Sequence, residues 1–224
     1  MNLPTMLVTS LLLVGNVVAT DDHRTQAQLA SFPTVGHVSI TATVKQGENP
    51  TIRFRSELSK NLLLQAELGG KDWREFRAQD DPDAIDQSIA FVVLHRNGLP
   101  DPLIAILVKR AGGSDCSYLP ALFGESNSTI HQLTPLLPGF LTRGKVLLSS
   151  SATGHPATLT IASERYDWKK DVHYTGPSRM ATFVYTYNPV LGRFIKTSSR
   201  EIKTEDMKLS GEDLMKLFGD FPNC

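Results

Sequence analysis

Short segments in which apolar and polar residues alternate recur through the chain, and they constrain its fold more than any other feature. A strand that is buried on one face shows this period of two. The segments with the clearest alternation are His37–Val44, Thr51–Arg55, Ala157–Ile161 and Thr182–Tyr187. The pattern therefore predicts antiparallel β-sheet in which each strand packs one face on a core.

Two hairpins are predicted from neighbouring strand segments. Ile89–Leu94 and Leu103–Val108 are continuous apolar runs, separated by a segment that contains Asn97-Gly98 and Pro100-Asp101-Pro102. Such runs are typical of the buried centre of a sheet, and the residues between them favour a turn. In the second hairpin, Thr182–Tyr187 is followed by a turn at 188–192 and a returning strand at 193–197.

Other segments are less regular. Leu62–Leu68 is apolar enough for a strand or a short helix, and His23–Ala30 is either a helical turn or a polar tail. Lys71–Gln87 is the most polar stretch and is interpreted as a solvated loop, since Pro82 disfavours a helix there. Near the end, Ser210 and Asp213 have the spacing of a helix start.

We therefore expect one mainly β domain, an antiparallel sandwich, barrel or partial propeller, with a short C-terminal helix. The apolar face of that helix is formed by Leu214, Met215, Leu217 and Phe218, and Gly219 ends it. The length that remains after an N-terminal leader is sufficient for a single hydrophobic core.

The N-terminus predicts a signal peptide over residues 1–19. Met1–Thr20 contains no charged residue, and Met6–Val18 is mostly apolar. This run is too short to span a bilayer as a stable anchor but fits the apolar region of a signal peptide. Cleavage is expected after Ala19. Residues 20–224 would then form an extracytoplasmic domain, periplasmic or secreted, that is not inserted in the membrane.

Cys116 and Cys224 are the two cysteines of the chain. Outside the cytoplasm, a pair of cysteines is predicted to form a disulfide bond. Closing a loop of about 108 residues would contribute roughly 4–5 kcal/mol in the chain-entropy model. The bond would hold the C-terminus in place.

Charge and local motifs exclude several classes of function. The chain has 23 basic and 23 acidic residues, so its charge gives no reason to expect nucleic-acid binding. The six histidines form no short-spaced pair, and no Gly-x-Ser-x-Gly elbow or phosphate-binding loop occurs. We therefore predict no catalytic motif, no cofactor and no metal site.

Two local sequences leave alternatives open. The acidic cluster from Asp80 to Asp86 is interpreted as a solvated loop, with calcium binding as the alternative, although its spacing is not that of an EF-hand. Asn127-Ser128-Thr129 matches the acceptor pattern for N-glycosylation, which matters only in a eukaryotic source.

A mixed aromatic and charged segment, Arg165–Tyr174, predicts the binding surface. Tyr166, Trp168, His173 and Tyr174 are the candidate binding residues. Trp, Tyr and Arg are enriched where proteins bind one another. The alternative is a strand and turn whose aromatic side chains pack inward.

The turn at Asn97-Gly98-Leu99-Pro100-Asp101, followed by Leu103-Ile104, resembles the turn and strand of FG-GAP-type repeats. Tyr185–Asn188 with Gly192–Phe194 is similar to the outer hairpin of exported bacterial β domains. The resemblance covers about twenty residues and implies β structure only. His95 and Arg96 stand where that family's calcium loop has acidic ligands.

These features favour an exported, non-catalytic binding protein that recognises another protein, as an inhibitor or an immunity-type protein does. One alternative is a secreted or periplasmic hydrolase whose residues are scattered along the chain, with Asp101, His155, Asp171 and His173 as first candidates. Another is a structural domain associated with the envelope.

Overall fold

The structure is a computed structural model. It describes residues 18–20, 23–45, 48–69, 86–112, 115–134, 141–142, 145–149, 155–165, 179–203 and 211–218. All structural statements below concern these residues.

The described chain forms three antiparallel sheets, and each sheet comes from one continuous stretch of sequence. Sheet A contains the strands β1 (Val18–Thr20), β2 (His23–Phe32), β3 (Gly36–Lys45), β4 (Thr51–Ser56) and β5 (Leu62–Glu67). Sheet B contains β6 (Asp86–Leu94), β7 (Leu103–Gly112), β8 (Asp115–Ser126), β9 (Thr129–Gln132) and β10 (Leu141–Thr142). Sheet C contains β11 (Lys145–Ser149), β12 (Thr158–Arg165), β13 (Arg179–Asn188), β14 (Arg193–Lys203) and β15 (Glu212–Asp213).

Strand order within each sheet follows the sequence closely. Sheet A runs β1 to β5 in order, and sheet C runs β14-β13-β12-β11-β15. In sheet B the order is β10-β8-β7-β6, and β9 also pairs with β8. The prediction of a mainly β antiparallel fold is confirmed, and none of the three described sheets closes into a barrel.

Sheet B is the middle layer, and its strand β7 is buried on both faces. Every residue from Leu103 to Val108 is at most 2% exposed. Successive side chains of a strand point to opposite faces. Ile104, Ile106 and Val108 pack in a core shared with sheet A, whereas Leu103, Ala105 and Leu107 pack in a core shared with sheet C. The continuous apolar run is therefore explained by sheets packed on both sides.

The core between sheets A and B is formed by side chains at alternate positions of their strands. Ile40 on β3 and Phe54 on β4 are fully buried, while the residues between such positions face away from this core. The Phe54 ring lies against Phe123 of β8, with ring centroids 5.0 Å apart. This contact joins the two sheets at the centre of their interface.

The core between sheets B and C is closed by residues from four strands of sheet C and by the C-terminal segment. Leu159 on β12 is fully buried there, as is Leu133, which follows β9. Tyr187 and Phe194 pack edge to face across the β13–β14 hairpin, with ring centroids 5.5 Å apart. Leu214 and Phe218 also belong to this core.

In two segments the structure decides between conformations that the sequence left open or excludes both, and in a third it differs from the prediction. Residues 23–32 form a strand rather than a helical turn or tail, and they pair with β3 along their whole length. Leu62–Glu67 is a strand. The predicted C-terminal helix is not shown: Glu212–Asp213 pairs with β11, and only one helical turn follows, α1 (Leu214–Leu217). Pairing with β11 already bonds the backbone at the position where the helix was expected to start.

Several predictions fall outside the described residues. These are the signal peptide up to residue 17, the acidic cluster from Asp80 to Asp83, and Cys224. β1 contains Ala19, after which cleavage is predicted, and pairs with β2. The disulfide bond and the signal peptide therefore stay predictions.

Candidate binding surface

The β13–β14 hairpin presents an exposed apolar tip. Val190 is 83% exposed and Leu191 is 53% exposed. The side-chain oxygen of Asn188 accepts hydrogen bonds from the backbone N–H groups of Val190 and Leu191, both at 3.0 Å. This local bonding is the turn-forming role that asparagine commonly has. The tip therefore holds two apolar side chains in solvent on an ordered turn.

Gly192 fits the tip closely against the end of β8. Its φ is +60°, a conformation that glycine adopts at little cost. A Cβ atom at this position would lie 2.6 Å from Ser126 Oγ. The hairpin tip is thus packed on sheet B and does not project alone.

The strand β14 is one edge of sheet C, and its outer part is exposed on both faces. Seven consecutive residues, Ile195–Glu201, are all exposed. The edge of a sheet carries backbone N–H and C=O groups that can pair with another strand. β14 also carries four basic residues against the single acidic Glu201; the basic residues are Arg193, Lys196, Arg200 and Lys203.

A groove lies between the start of β14 and the segment that follows β9. Its volume is about 450 Å³. The residues that line it are Gln132, Leu133, Thr134, Tyr185, Arg193, Phe194, Ile195 and Lys196. The two walls are joined because Phe194 N–H donates to the Leu133 carbonyl at 2.9 Å. Thr134 Oγ1 fixes the other wall by accepting a hydrogen bond from Leu122 N–H at 3.1 Å.

The groove is cationic at its rim and apolar below. Lys196 Nζ lies 4.8 Å from the centroid of the Phe183 ring, which holds the ammonium group over an aromatic face. Arg193 is exposed and lines the same groove. Burial raises the pKa of Tyr185 above its ordinary value.

The loop between β6 and β7 brings two titratable residues together. His95 Nδ1 contacts Asp101 Oδ1, and both side chains are about 60% exposed (60% and 63%). The neighbouring Arg96 pairs with Glu212, its Nε lying 3.0 Å from Oε2, and also donates to the His95 carbonyl at 2.9 Å. Arg96 therefore anchors this loop to β15.

The residues predicted for a hydrolase are not all placed together. Asp101 meets His95, which the sequence analysis did not select, while His155 is exposed before β12. Asp171 and His173 lie outside the described residues. The described residues also contain no group of three or more His, Cys, Asp or Glu that could hold a metal ion.

The predicted binding residues Tyr166, Trp168, His173 and Tyr174 lie outside the described residues, so their surface is not tested. The backbone of Cys116 is in β8. Asn127, the predicted glycosylation position, is exposed in the turn between β8 and β9. The surface built on β14 was missed by the sequence analysis. Its signal was the four basic residues that follow an apolar turn.

No protein-family model matches this chain, and neither a curated protein nor a solved structure matches it. The resemblance to FG-GAP-type repeats therefore rests on the sequence alone. Within the part of the chain that the structure describes, no helix has the length and apolar character needed to cross a bilayer.

Proposed function

We propose that this protein is an exported, non-catalytic binding protein that recognises another protein through the β13–β14 hairpin. The observation that carries the proposal is the exposed edge of β14 beside the apolar tip at Val190 and Leu191. The predicted signal peptide and the absence of a catalytic motif in the sequence support an exported binding role. An inhibitor or an immunity-type protein would use such a surface.

The edge of β14 suits recognition of an extended segment. A partner strand can add to an exposed sheet edge through main-chain hydrogen bonds, while its side chains give specificity. The exposed stretch Ile195–Glu201 is long enough to pair with a strand of ordinary length. The excess of basic residues on β14 would favour an acidic partner and disfavour pairing of two copies of this edge.

The apolar tip supplies the second part of the surface. Val190 and Leu191 are among the exposed large hydrophobic residues, and Ile195, also exposed, follows them on β14. Binding would remove these side chains from water and would cost little conformational entropy in the turn, because Asn188 already orders it.

The proposal is tested by affinity purification with matched variants. The full-length protein, the double variant Val190→Ser/Leu191→Ser and the control Leu29→Ser/Leu58→Ser would each be incubated with envelope and secreted fractions of the source. Leu29 on β2 and Leu58 in the turn between β4 and β5 are 65% and 96% exposed, and both are far from the hairpin in sequence. Bound proteins would be quantified by mass spectrometry.

We expect a stoichiometric partner with the unmodified protein and the control, and a loss of roughly tenfold with the hairpin variant. The reason is that the hairpin variant removes apolar contacts without touching a buried residue. Equal recovery with both variants would place the interface elsewhere. Enrichment of no protein by the folded, unmodified chain would refute the binding role.

A hydrolase is the second candidate, and the His95–Asp101 contact is the observation that favours it. A carboxylate that contacts a histidine can orient it as a general base. Screening the unmodified protein and His95→Ala against ester, peptide and glycoside substrates tests this role. An activity that His95→Ala abolishes would support the hydrolase over the binding protein.

A further inference from the structure

The groove between β14 and the segment after β9 has the size of a small-molecule site. Its volume of about 450 Å³ falls in the range of roughly 300–1,000 Å³ that is usual for ligand pockets. It is a separate feature from the hairpin tip and from the exposed part of β14 beyond Lys196. What it binds can therefore be argued from its own residues.

The interior of the groove is apolar and ordered. Leu133 is fully buried, and Phe194 is 3% exposed. The Phe194 N–H to Leu133 carbonyl bond fixes these two residues against each other at the bottom of the groove. They form the floor beneath the groove, and Ile195, 36% exposed, is the large apolar side chain of the described lining that a ligand can contact.

The charged residues at the rim of the groove favour an anionic ligand. Arg193 and Lys196 are the charged residues among the described residues that line the groove, and none of those lining residues is Asp or Glu. The ammonium group of Lys196 lies over the Phe183 ring. A negative group on the ligand would meet two cations, and no described carboxylate of the lining would compete for them.

Two hydroxyl-bearing side chains lie beneath the groove. Thr134 is 4% exposed, and its Oγ1 already accepts a hydrogen bond from Leu122 N–H, which leaves the hydroxyl proton free to be donated. Tyr185 is 3% exposed. Both side chains line the groove.

The geometry points to a binding site for a small amphipathic organic anion, whose apolar body packs on the exposed Ile195 above the floor that Leu133 and Phe194 form, and whose acidic group is bound by Arg193 and Lys196. The ligand is a free small molecule. This inference can be tested apart from the proposed protein partner, because Val190 and Leu191, which the partner assay varies, do not line the groove, although Arg193, Ile195 and Lys196 belong to both surfaces.

The probe for this site is anilinonaphthalene sulfonate, a fluorescent apolar ring system with one acidic group. The comparison probe is phenylnaphthylamine, which keeps the rings and lacks the charge. Both would be titrated into the full-length protein and into Arg193→Gln/Lys196→Gln. Lys196→Arg restores a positive charge at the rim, and Val190→Ser/Leu191→Ser controls for binding of the dye at the hairpin tip.

We expect saturable binding of one sulfonate probe per chain, weakened about tenfold in Arg193→Gln/Lys196→Gln, because a charged hydrogen bond is lost. Binding of the neutral probe should be unchanged in that variant, and Lys196→Arg should bind the sulfonate like the unmodified protein. Decanoate, used below its micelle concentration, should displace the sulfonate probe at lower concentration than decanol does, and this difference should disappear in Arg193→Gln/Lys196→Gln.

Other outcomes overturn the inference. Equal affinity of the charge variant and the unmodified protein for the sulfonate would mean that the rim selects no anion. Loss of binding in Val190→Ser/Leu191→Ser alone would place the dye on the hairpin tip, and failure of the folded protein to bind either probe saturably would exclude a ligand site. Because the partner assay uses the hairpin variants, either proposal can fail while the other holds.

Discussion

The Phe54–Phe123 contact allows a direct test of the packing between sheets A and B. Both side chains are fully buried, and their ring centroids are 5.0 Å apart. Truncating Phe123 to Ala would cost about 3–5 kcal/mol, because the transfer free energy of the ring is lost and a cavity remains. For a chain of this size each kcal/mol lowers the Tm by about 2–4 °C, so a decrease of roughly 6–20 °C is expected.

A double-mutant cycle isolates the contact between the two rings. Phe54→Leu, Phe123→Leu and the double variant would be unfolded in urea, and the free energies of unfolding compared. Leu keeps much of the apolar volume and removes the aromatic pair. We expect a coupling free energy of about 0.5–1.5 kcal/mol between the two substitutions.

The control is the same cycle between Phe54→Leu and Leu159→Ala, because Leu159 lies in the other core, between sheets B and C. Distant substitutions should add to within about 0.5 kcal/mol. A coupling near zero for Phe54 and Phe123, equal to the control, would show that the two rings do not meet and would refute the stacked arrangement of sheets A and B.

Three further substitutions and conditions test the structure elsewhere. Gly124→Ala should lower the free energy of unfolding, measured in urea, by about 1–3 kcal/mol, because the added Cβ atom would lie 2.7 Å from Pro100 Cβ. An unchanged free energy of unfolding would contradict that close approach. Thr182→Val should raise the Tm and stabilise the fold by about 1 kcal/mol, since Thr182 Oγ1 is buried with no described hydrogen-bond partner. Destabilisation by this substitution would show that the hydroxyl is hydrogen-bonded. Burial raises the pKa of Tyr185 and Tyr187 above 10.0, so their phenol absorbance should titrate late. Their contribution to stability should be constant below about pH 10 and should be lost as pH rises through the raised pKa, whereas normal titration of all tyrosines would contradict their burial.

The local part of the fold could be predicted from the sequence. The alternation at His37–Val44 and at Thr182–Tyr187 corresponds to strands β3 and β13, because the side-chain period of a half-buried strand is two. The apolar run Leu103–Val108 lies at the centre of a sheet, as predicted. These patterns involve only consecutive residues, so they can be recognised without knowledge of the tertiary structure.

The strands that the sequence analysis missed have interrupted patterns. β8 contains Pro120 and Gly124, two residue types that are disfavoured in strands, and the strand forms because β7 pairs along almost its whole length. β2 carries a polar sequence at its start, and its pairing with β3 determines its conformation. In both strands tertiary pairing overrides local preference.

The groove could not be predicted because its walls come from different sheets. Leu133 follows β9 of sheet B, whereas Phe194 is the second residue of β14 of sheet C, and a backbone hydrogen bond joins them. No sequence pattern specifies that contact. The basic character of β14 was visible, but its position at a sheet edge follows only from the strand order.

The contiguity of the three sheets determines the order in which the chain can bury its surface during synthesis. Sheets A and B are complete by Thr142, before any strand of sheet C has been made. A nascent chain at that stage has one core, but Leu103, Ala105 and Leu107 have no layer over them. Such a chain presents an exposed apolar face to which chaperones can bind and through which other unfinished copies can aggregate. The face is covered only after the last third of the chain has been synthesised.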